Sequence, residues 1–386
     1  MSPPTGISLG DPAGIGPEIV VRALAMRPDL PAVVFGDRGV LERAAASLNL
    51  PAPPASCVHA ITRLGVNDVR PGQPNEASGR AQLAYLAAAT QAVLRGEVAA
   101  LVTAPISKEW AGRVGFQFPG HTEYLAATSG APEHAMMLAG PRLRITVATT
   151  HIALRDVPTA LTPEGIAATI VLTARCLRDW FGLGAPQVAV AGLNPHAGEA
   201  GRFGDEEARL VVPAIERARQ RLTSEGIGAT ISGPAVPDAV FRQAANGAFD
   251  AVVALYHDQG LIPIKMLHFD EAVNVTLGLP FVRTSPDHGT AYDIAGTGRA
   301  RPDSFLAALD LAAAIVNKRN KAAGVGPAPT RGHDAGKDAS GPKNVGLDSR
   351  DKTPARGTPL SSIVSTGEAG GGGGVGLKGA RSRGSA

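Results

Sequence analysis

The chain has 386 residues, of which 44% are apolar and only 4% are aromatic, so we expect a large core built mainly from aliphatic side chains and alanine. No apolar run approaches the ~18 residues that a membrane span needs, and two cysteines are too few for a disulfide-rich scaffold. The net charge of +3 does not indicate a nucleic-acid-binding domain, because ten Lys/Arg and five Asp/Glu lie in residues 321–386, which leaves residues 1–320 at −2.

Residues 321–386 differ in composition from the rest of the chain. They are rich in Gly, Ser, Pro and Lys and contain no Phe, Tyr or Trp, so they cannot bury enough apolar surface to offset the entropy of ordering. We predict a disordered tail. A basic arm that binds RNA is the less favoured alternative, because the tail lacks aromatic rings to stack on bases. We expect no nucleic-acid or membrane partner and, with no secretory leader at the N-terminus, a cytoplasmic protein.

Short apolar runs alternate with helical patterns along residues 1–320. Strands are predicted at 7–9, 32–35, 99–103, 144–150, 187–191 and 251–256. Helices are predicted at 17–26, 77–95, 163–181 and 305–316. Thr162 is the predicted N-cap of the third helix, and Pro163 is its first residue. The alternation is typical of an α/β fold with a mostly parallel sheet.

Three histidines follow predicted strands directly. His151, His196 and His257 each lie just beyond the carboxyl end of an apolar run, where ligands bind in open α/β sheets. Three imidazoles could converge on one divalent metal ion, with Glu199 and Asp258 orienting them. The alternative is that each histidine is an ordinary hydrogen-bonded core or loop residue.

Other polar residues stand in apolar or glycine-containing stretches. In Phe-Pro-Gly-His-Thr-Glu, His121 and Thr122 could donate to an anion, or Thr122 could simply cap a helix that starts at residue 123. Lys265, Asn274 and Arg283 lie in largely apolar segments. A cation there needs a counter-charge, which predicts either a bound phosphate or a structural ion pair.

Two glycine-rich stretches are candidate binding loops. The first, GDPAGIGPE at 10–18, has the spacing G-x-x-x-G-x-G, which is neither a Rossmann fingerprint nor a P-loop. The second, SPDHGTAYDIAGTG at 285–298, combines turn residues and hydrogen-bond acceptors. It is either a binding loop or a plain surface loop.

Taken in order, several segments resemble the 4-hydroxythreonine-4-phosphate dehydrogenase family of vitamin B6 biosynthesis. They are GDPAGIGPEI, TAPISKEW, FPGHTEYLA, TTHIALRDVP, GLNPHAGEAGRFGDEE, YHDQGLIPIK and VNVTLGLPFVRTSPDHGTAYDIAGTG, within residues 6 to about 318. The resemblance implies a fold like that of isocitrate and isopropylmalate dehydrogenases, with two α/β domains and a cleft between them. Residues 1–120 and 275–320 would form the cofactor side, and residues 121–274 the metal and dimerisation side. The protein would be a homodimer whose active sites take residues from both subunits.

The resemblance also implies roles for individual residues. The metal ligands are His151, His196 and His257. The substrate-binding residues are His121, Thr122, Lys265, Asn274 and Arg283. The cofactor-binding residues are Gly14, Gly16, His288, Gly289, Thr290 and Asp293. The catalytic candidates are Lys265, His196 and Asp258. The cofactors are NAD or NADP and one divalent metal ion: Zn²⁺, Mg²⁺, Mn²⁺ or Co²⁺.

The implied reaction is oxidation of the C3 hydroxyl of 4-phosphooxy-L-threonine, with decarboxylation to 3-amino-2-oxopropyl phosphate. Lys265 and a metal-bound hydroxide are both candidates for the general base. Paralogous enzymes that oxidise 4-phospho-D-threonate or 4-phospho-D-erythronate are the nearest alternative. A non-catalytic phosphometabolite-binding protein and an acyl or phosphoryl transferase are more distant ones.

Overall fold

A computed structural model describes residues 3–322 of the chain. Most of the tail that we predict to be disordered, residues 323–386, lies outside the described residues. Within residues 3–322 no single helix has the length and hydropathy to cross a membrane, although the pair Leu154–Ala160 and Pro163–Asp179, bent by 92°, meets those criteria together.

The described residues form one eleven-stranded sheet with helices packed on it. The strands are β1 (Thr5–Ser8), β2 (Ala32–Asp37), β3 (Val58–Thr62), β4 (Ala100–Thr103), β5 (Ala135–Ala139), β6 (Arg144–Val147), β7 (Gln187–Ala191), β8 (Thr230–Ala235), β9 (Ala251–Ala254), β10 (Val273–Leu277) and β11 (Val282–Pro286). Their order across the sheet is β3-β2-β1-β4-β11-β10-β5-β6-β9-β7-β8.

The helices alternate with the strands along the chain. They are α1 (Gly16–Met26), α2 (Arg38–Ser47), α3 (Glu76–Leu94), α4 (Lys108–Arg113), α5 (His121–Ser129), α6 (Val157–Ala160), α7 (Pro163–Asp179), α8 (Val212–Ser224), α9 (Pro237–Ala245), α10 (His257–His268) and α11 (Asp303–Ala322). At α7 the predicted cap is confirmed, since Thr162 Oγ1 accepts a hydrogen bond of 3.0 Å from the Gly165 backbone N–H.

The sheet contains two parallel groups that run in opposite directions. Strands β3, β2, β1, β4 and β11 are parallel to one another, and so are β6, β9, β7 and β8. Strands β10 and β5 lie between the groups, and every pairing from β11 to β6 is antiparallel. The predicted α/β fold with a mostly parallel sheet is therefore confirmed.

One face of the sheet centre carries polar side chains. Successive residues of a strand point to opposite faces, so Arg283 and Ser285 of β11 share a face with Asn274 and Thr276 of β10, as the pairing of Asn274 with Ser285 requires. The opposite face and the outer strands bury aliphatic clusters, such as the one around Ile7, Val102 and Phe305. A cleft over the central strands is thus lined by polar groups on a rigid apolar base.

Candidate active site

The polar face of the central strands opens into a cleft with a volume of about 670 Å³. The cleft runs from the carboxyl end of β4 and β11 to that of β6 and β9. Nine residues predicted from the sequence line it: His121, Thr122, His151, His257, Lys265, Asn274, Arg283, His288 and Gly289. Six elements or loops supply these residues, so the fold brings together groups that are up to 168 positions apart in sequence.

Arg283 is the central group of one end of the cleft. Its residue is only 3% exposed. The guanidinium donates to Thr276 Oγ1 at 3.0 Å and to Thr103 Oγ1 at 2.7 Å, and its Nε has no hydrogen-bond partner. Burial lowers the pKa of Arg283 to about 10, which is the expected penalty for a desolvated cation. Arg283 has hydroxyl partners but no carboxylate, so the predicted structural ion pair is absent at this position in residues 3–322.

Two further polar atoms near Arg283 are buried without a partner, Nε2 of His121 and Oδ1 of Asn274. Burial, followed by the positive charges of Arg283 and Lys108, holds the pKa of His121 well below its usual range, so the ring is neutral at pH 7. Buried polar groups without partners are rare in folded proteins. We call Thr103, His121, Asn274 and Arg283 the anion end of the cleft.

Helix α5 brings His121 and Thr122 to the anion end. The helix begins at His121 and its N-cap is Gly120, whose backbone is extended at φ −177°. The alternative reading of Thr122 as the N-cap of a helix from residue 123 is therefore wrong, because glycine occupies the cap two positions earlier. No side chain caps this helix, and its N-terminal end faces the cleft with the positive pole of the helix dipole.

Lys265 projects into the cleft from α10. Its Nζ lies 2.8 Å from Asp287 Oδ2, directly after β11. For Lys265, Asn274 and Arg283 the sequence predicts either a bound phosphate or a structural ion pair. At Lys265 the structural ion pair is present, and it lies within the cleft. Asp287 was not singled out from the sequence, although it stands in the quoted segment SPDHGT.

His151 and His257 stand together at the other end of the cleft, which we call the histidine end. Their ring centroids are 5.6 Å apart. His257 Nδ1 lies 2.7 Å from Asp258 Oδ1. The Nε2 atom of the same ring is therefore the one left to bind another group. Burial, then the charges of Lys108 and His257, lowers the pKa of His151, so it is neutral at pH 7, as a metal ligand must be.

His196 does not line the cleft. It lies in a turn, Pro195–Gly201, in which six successive residues have positive φ, including His196 at 52° and Glu199 at 44°. This conformation is costly for residues with a Cβ. It is held by the buried carboxylate of Glu207, which accepts the backbone N–H groups of Leu193 and Asn194 at 2.8 and 2.7 Å. The turn leaves the His196 side chain 62% exposed.

The histidine end contains two of the three predicted metal ligands. The described residues 3–322 contain no group of three or more His, Cys, Asp or Glu side chains placed to hold one metal ion. His151 and His257 are chemically suitable as metal ligands, since imidazole nitrogens bind divalent metal ions and Asp258 orients the His257 ring. A complete site needs at least one more donor.

Among the predicted cofactor residues, His288 and Gly289 line the cleft, whereas Gly14, Gly16, Thr290 and Asp293 do not. Close packing explains why positions 14 and 16 are glycines. A Cβ at Gly14 would lie 2.9 Å from the Thr290 carbonyl oxygen, and one at Gly16 would lie 2.4 Å from that of Leu9. The loop 10–18 is thus in close contact with the backbone that follows Gly289.

Three contacts tie these two glycine-rich stretches together. Tyr292 donates to Asp11 Oδ2 at 2.6 Å, the Ile15 N–H donates to the Thr290 carbonyl at 2.9 Å, and the Gly296 N–H donates to Glu18. Sequence reasoning missed Asp11 and Glu18 as contact residues. A signal was present, since both carboxylates lie in an otherwise uncharged loop and helix start.

Comparison with known proteins decides the family. The family model described as "Pyridoxal phosphate biosynthetic protein PdxA" matches residues 29–312. The chain belongs to the PdxA family. Relatives from Desulfosudis oleivorans and Geobacter metallireducens, both named 4-hydroxythreonine-4-phosphate dehydrogenase, are 49% and 47% identical over 340 and 335 residues. The alignments cover 82% of this chain in both cases, and 98% and 97% of the relatives.

Solved structures agree with the PdxA assignment. The 4-hydroxythreonine-4-phosphate dehydrogenase from Klebsiella pneumoniae matches with a TM-score of 0.73 at 40% identity, over 82% of this chain and 100% of that chain. A terephthalate 1,2-cis-dihydrodiol dehydrogenase from Burkholderia xenovorans matches with a TM-score of 0.59 at 31% identity, over 81% and 98%. The predicted resemblance and the assignment to dehydrogenases that act on CH–OH groups are confirmed.

Proposed function

We propose that the protein oxidises the C3 hydroxyl of 4-phosphooxy-L-threonine with NAD⁺ or NADP⁺, and that loss of CO₂ then gives 3-amino-2-oxopropyl phosphate for pyridoxal phosphate synthesis. The names of the relatives support the reaction. In this chain the observation that carries it is Arg283, a buried cation in the cleft that has no acidic partner among residues 3–322. A phosphate or carboxylate at the anion end would supply the missing counter-charge.

The residues at the anion end would bind and orient the substrate. Arg283 and His121 offer nitrogen donors and Thr122 a hydroxyl, and the unpartnered Asn274 Oδ1 accepts a hydrogen bond. Because Thr103 and Thr276 fix the guanidinium, little further ordering is needed on binding. Lys265, paired with Asp287, would hold or move a proton beside the reacting hydroxyl.

We propose that His151 and His257 of one chain, with His196 of a second copy, hold one divalent metal ion: Zn²⁺, Mg²⁺, Mn²⁺ or Co²⁺. The incomplete pair in the cleft and the strained, exposed turn that presents His196 support a shared site. When bound, the metal supplies Lewis-acid stabilisation of negative charge on the substrate oxygen, and the nicotinamide accepts the hydride. Asp258 keeps the His257 ring oriented through Nδ1.

The nicotinamide cofactor would lie along His288 and Gly289. Gly14 and Gly16 would act by allowing the loop 10–18 to pack against Thr290, and Asp293 would face the adenosine end. The contacts of Asp11 and Glu18 with this loop support a preformed cofactor side. In this arrangement residues 1–120 and 275–320 carry the cofactor, and residues 121–274 carry the metal and the dimer contacts.

A homodimer in the cytoplasm is part of the proposal. Helix α10, which begins at His257, exposes Ile262 and Met266 by 58% and 82%, and its C-cap Phe269 is 75% exposed. The three residues are spaced by four and three positions and Phe269 keeps helical backbone angles, so they form one apolar stripe. Such a stripe beside a site that lacks a donor is suited to contact a second copy.

The test is a turnover assay on the purified full-length chain, reading NAD(P)H formation with metal and after chelation. We expect turnover of 4-phosphooxy-L-threonine that is lost with chelator and restored by metal. 4-Phospho-D-threonate and 4-phospho-D-erythronate serve as comparison substrates, since they share the phosphate and the secondary hydroxyl. If a comparison substrate is preferred, or if the metal-replete protein leaves 4-phosphooxy-L-threonine unchanged, the proposed substrate is wrong.

A further inference from the structure

The charges that line the cleft do not match the proposed substrate without one more group. Three cations line the cleft: Lys108, Lys265 and Arg283. Lys265 already pairs with Asp287 at 2.8 Å. The substrate of the proposed function carries a phosphate with about two negative charges and a carboxylate with a third. Arg283 alone cannot neutralise both ends of such a molecule.

Lys108 is the remaining cation, and it has no acidic partner within 4.0 Å among the described residues. It is the first residue of α4, held by Ser107, whose Oγ accepts the Trp110 N–H at 3.2 Å. A Cβ at Gly120 would lie 3.4 Å from Glu123 Oε2, 3.5 Å from Lys108 Cε and 3.8 Å from Nζ, but no ion pair of 4.0 Å or less joins Lys108 to Glu123 among the described residues. The ammonium therefore sits beside the uncapped start of α5.

The surroundings of Lys108 indicate an anion rather than a structural ion pair. The nearby helix start offers unpaired N–H groups, and Arg283, 3% exposed with an unpartnered Nε, lines the same cleft. The positive charge of Lys108 also acts on His121 and His151, the histidines at either end of the cleft. Lys108 thus lines the same cleft as both ends and acts electrostatically on a histidine of each.

We infer that Lys108 is a substrate-binding residue whose Nζ contacts an anionic oxygen of the substrate, either of the phosphate or of the carboxylate. The inference rests on the proposed function for the identity of the substrate. Lys108 would neutralise the substrate charge that Lys265 cannot neutralise, because Lys265 is already paired with Asp287. Gly120 is part of the same arrangement, since a Cβ there would be in van der Waals contact with the Lys108 side chain.

The experiment compares Lys108→Gln, Lys108→Arg and the exposed control Lys321→Gln in the full-length protein. Steady-state kinetics with 4-phosphooxy-L-threonine and calorimetric titration with inorganic phosphate are measured for each. For Lys108→Gln we expect a rise in KM of about ten- to a hundredfold with a smaller change in kcat. Lys108→Arg should recover most of the loss, and the control should match the wild type.

The phosphate titration distinguishes the two oxygens. A parallel loss of phosphate affinity in Lys108→Gln places Lys108 on the phosphate, and an unchanged affinity with a raised KM places it on the carboxylate. A KM and a phosphate affinity both within twofold of the wild type overturn the inference. If the wild type does not turn over the substrate, the proposed function fails, and an unchanged phosphate affinity in Lys108→Gln then overturns the inference too. Thermal unfolding of each variant separates these results from misfolding.

Discussion

The anion end and the histidine end of the cleft are built in different ways. Arg283 at the anion end is buried and fixed by two threonine hydroxyls. At the histidine end His151 and His257 are only neighbours, and the third predicted ligand, His196, lies on an exposed turn outside the cleft. Within the described part of one chain, the residues predicted to bind an anion therefore line one cleft together, whereas the three predicted metal ligands do not.

This difference shows which part of the site depends on the fold of a single chain. The anion end draws on adjacent strands of one sheet, whose register fixes the side chains relative to one another. The histidine end uses groups that follow strand ends, and one of these is presented outward by a strained turn. Substitutions at the two ends should consequently differ in whether a second copy can compensate for them.

The largest effect is expected at the histidine end. His196→Ala and His257→Ala should each lose bound metal and lower kcat by about a thousandfold or more, because Lewis-acid stabilisation contributes several kcal/mol. Metal content, turnover and oligomeric state are measured for both.

Mixing the two inactive proteins tests whether the site is shared. If His196 acts on the other copy, subunit exchange should restore about one quarter of wild-type activity, since half of the dimers then contain one intact site. A mixture that stays inactive after demonstrated exchange would mean that all ligands come from one chain. Equal mixtures of either variant with itself are the control.

A smaller loss is expected from Arg283→Met at the anion end. Removal of a charged hydrogen-bond donor should cost about 1.5–3 kcal/mol, roughly ten- to a hundredfold in kcat/KM. Mixing with His257→Ala should restore no activity if Arg283 acts in the same cleft as His257 of its own chain, whereas mixing with His196→Ala should restore about one quarter of wild-type activity. Arg283→Lys should remain impaired, because lysine cannot reproduce the fork that reaches both threonines.

Thr103→Val should have a weaker effect. It removes one of the two hydroxyls that hold Arg283, at a distance of 2.7 Å, and we expect a cost of about 1 kcal/mol, or roughly fivefold in KM. Thr103→Ser keeps the hydroxyl and is the matched control. Equal KM values for the valine and serine variants would show that the hydroxyl does not position the guanidinium.

The smallest effect concerns stability rather than turnover. The pKa of His121 is lowered in the folded state by burial, so below about pH 6.5 the unfolded chain binds the extra proton and folding becomes less favourable. The free energy of unfolding should therefore fall as the pH is lowered through that range, and less steeply in His121→Asn. Denaturant titrations between pH 8 and pH 5 measure it. Identical slopes in both proteins would contradict the buried, neutral ring.

The sequence predicts the strands with the clearest apolar runs and misses others, including β10 and β11, which supply Asn274 and Arg283 of the anion end. Strand β7 matches its predicted range, and β4 begins one residue later than predicted. Strands β10 and β11 were not predicted, because Asn274 and Arg283 interrupt their apolar pattern. The polar residues that interrupt the apolar pattern of β10 and β11 are the same residues that line the cleft.

The position of individual groups could be inferred only partly. Histidines after strand ends predicted a common edge, and β6, β9 and β7 do lie side by side in parallel. Sequence could not indicate that the turn after β7 would be left-handed and would carry His196 out of the cleft, because that depends on a contact with Glu207 further along the chain. No sequence pattern indicated a role for Lys108, because a lysine at the start of a helix is common on protein surfaces.

The ties between the loop 10–18 and residues 290–296 have a consequence for synthesis on the ribosome. Asp11 and Tyr292 are 281 positions apart, and β11 must insert between β4 and β10 before the sheet is continuous. A nascent chain that ends before residue 292 leaves the Asp11 carboxylate without this partner, and one that ends before residue 283 also lacks Arg283 of the cleft. The first strand to be made therefore reaches its final surroundings only when almost all of the described chain has emerged.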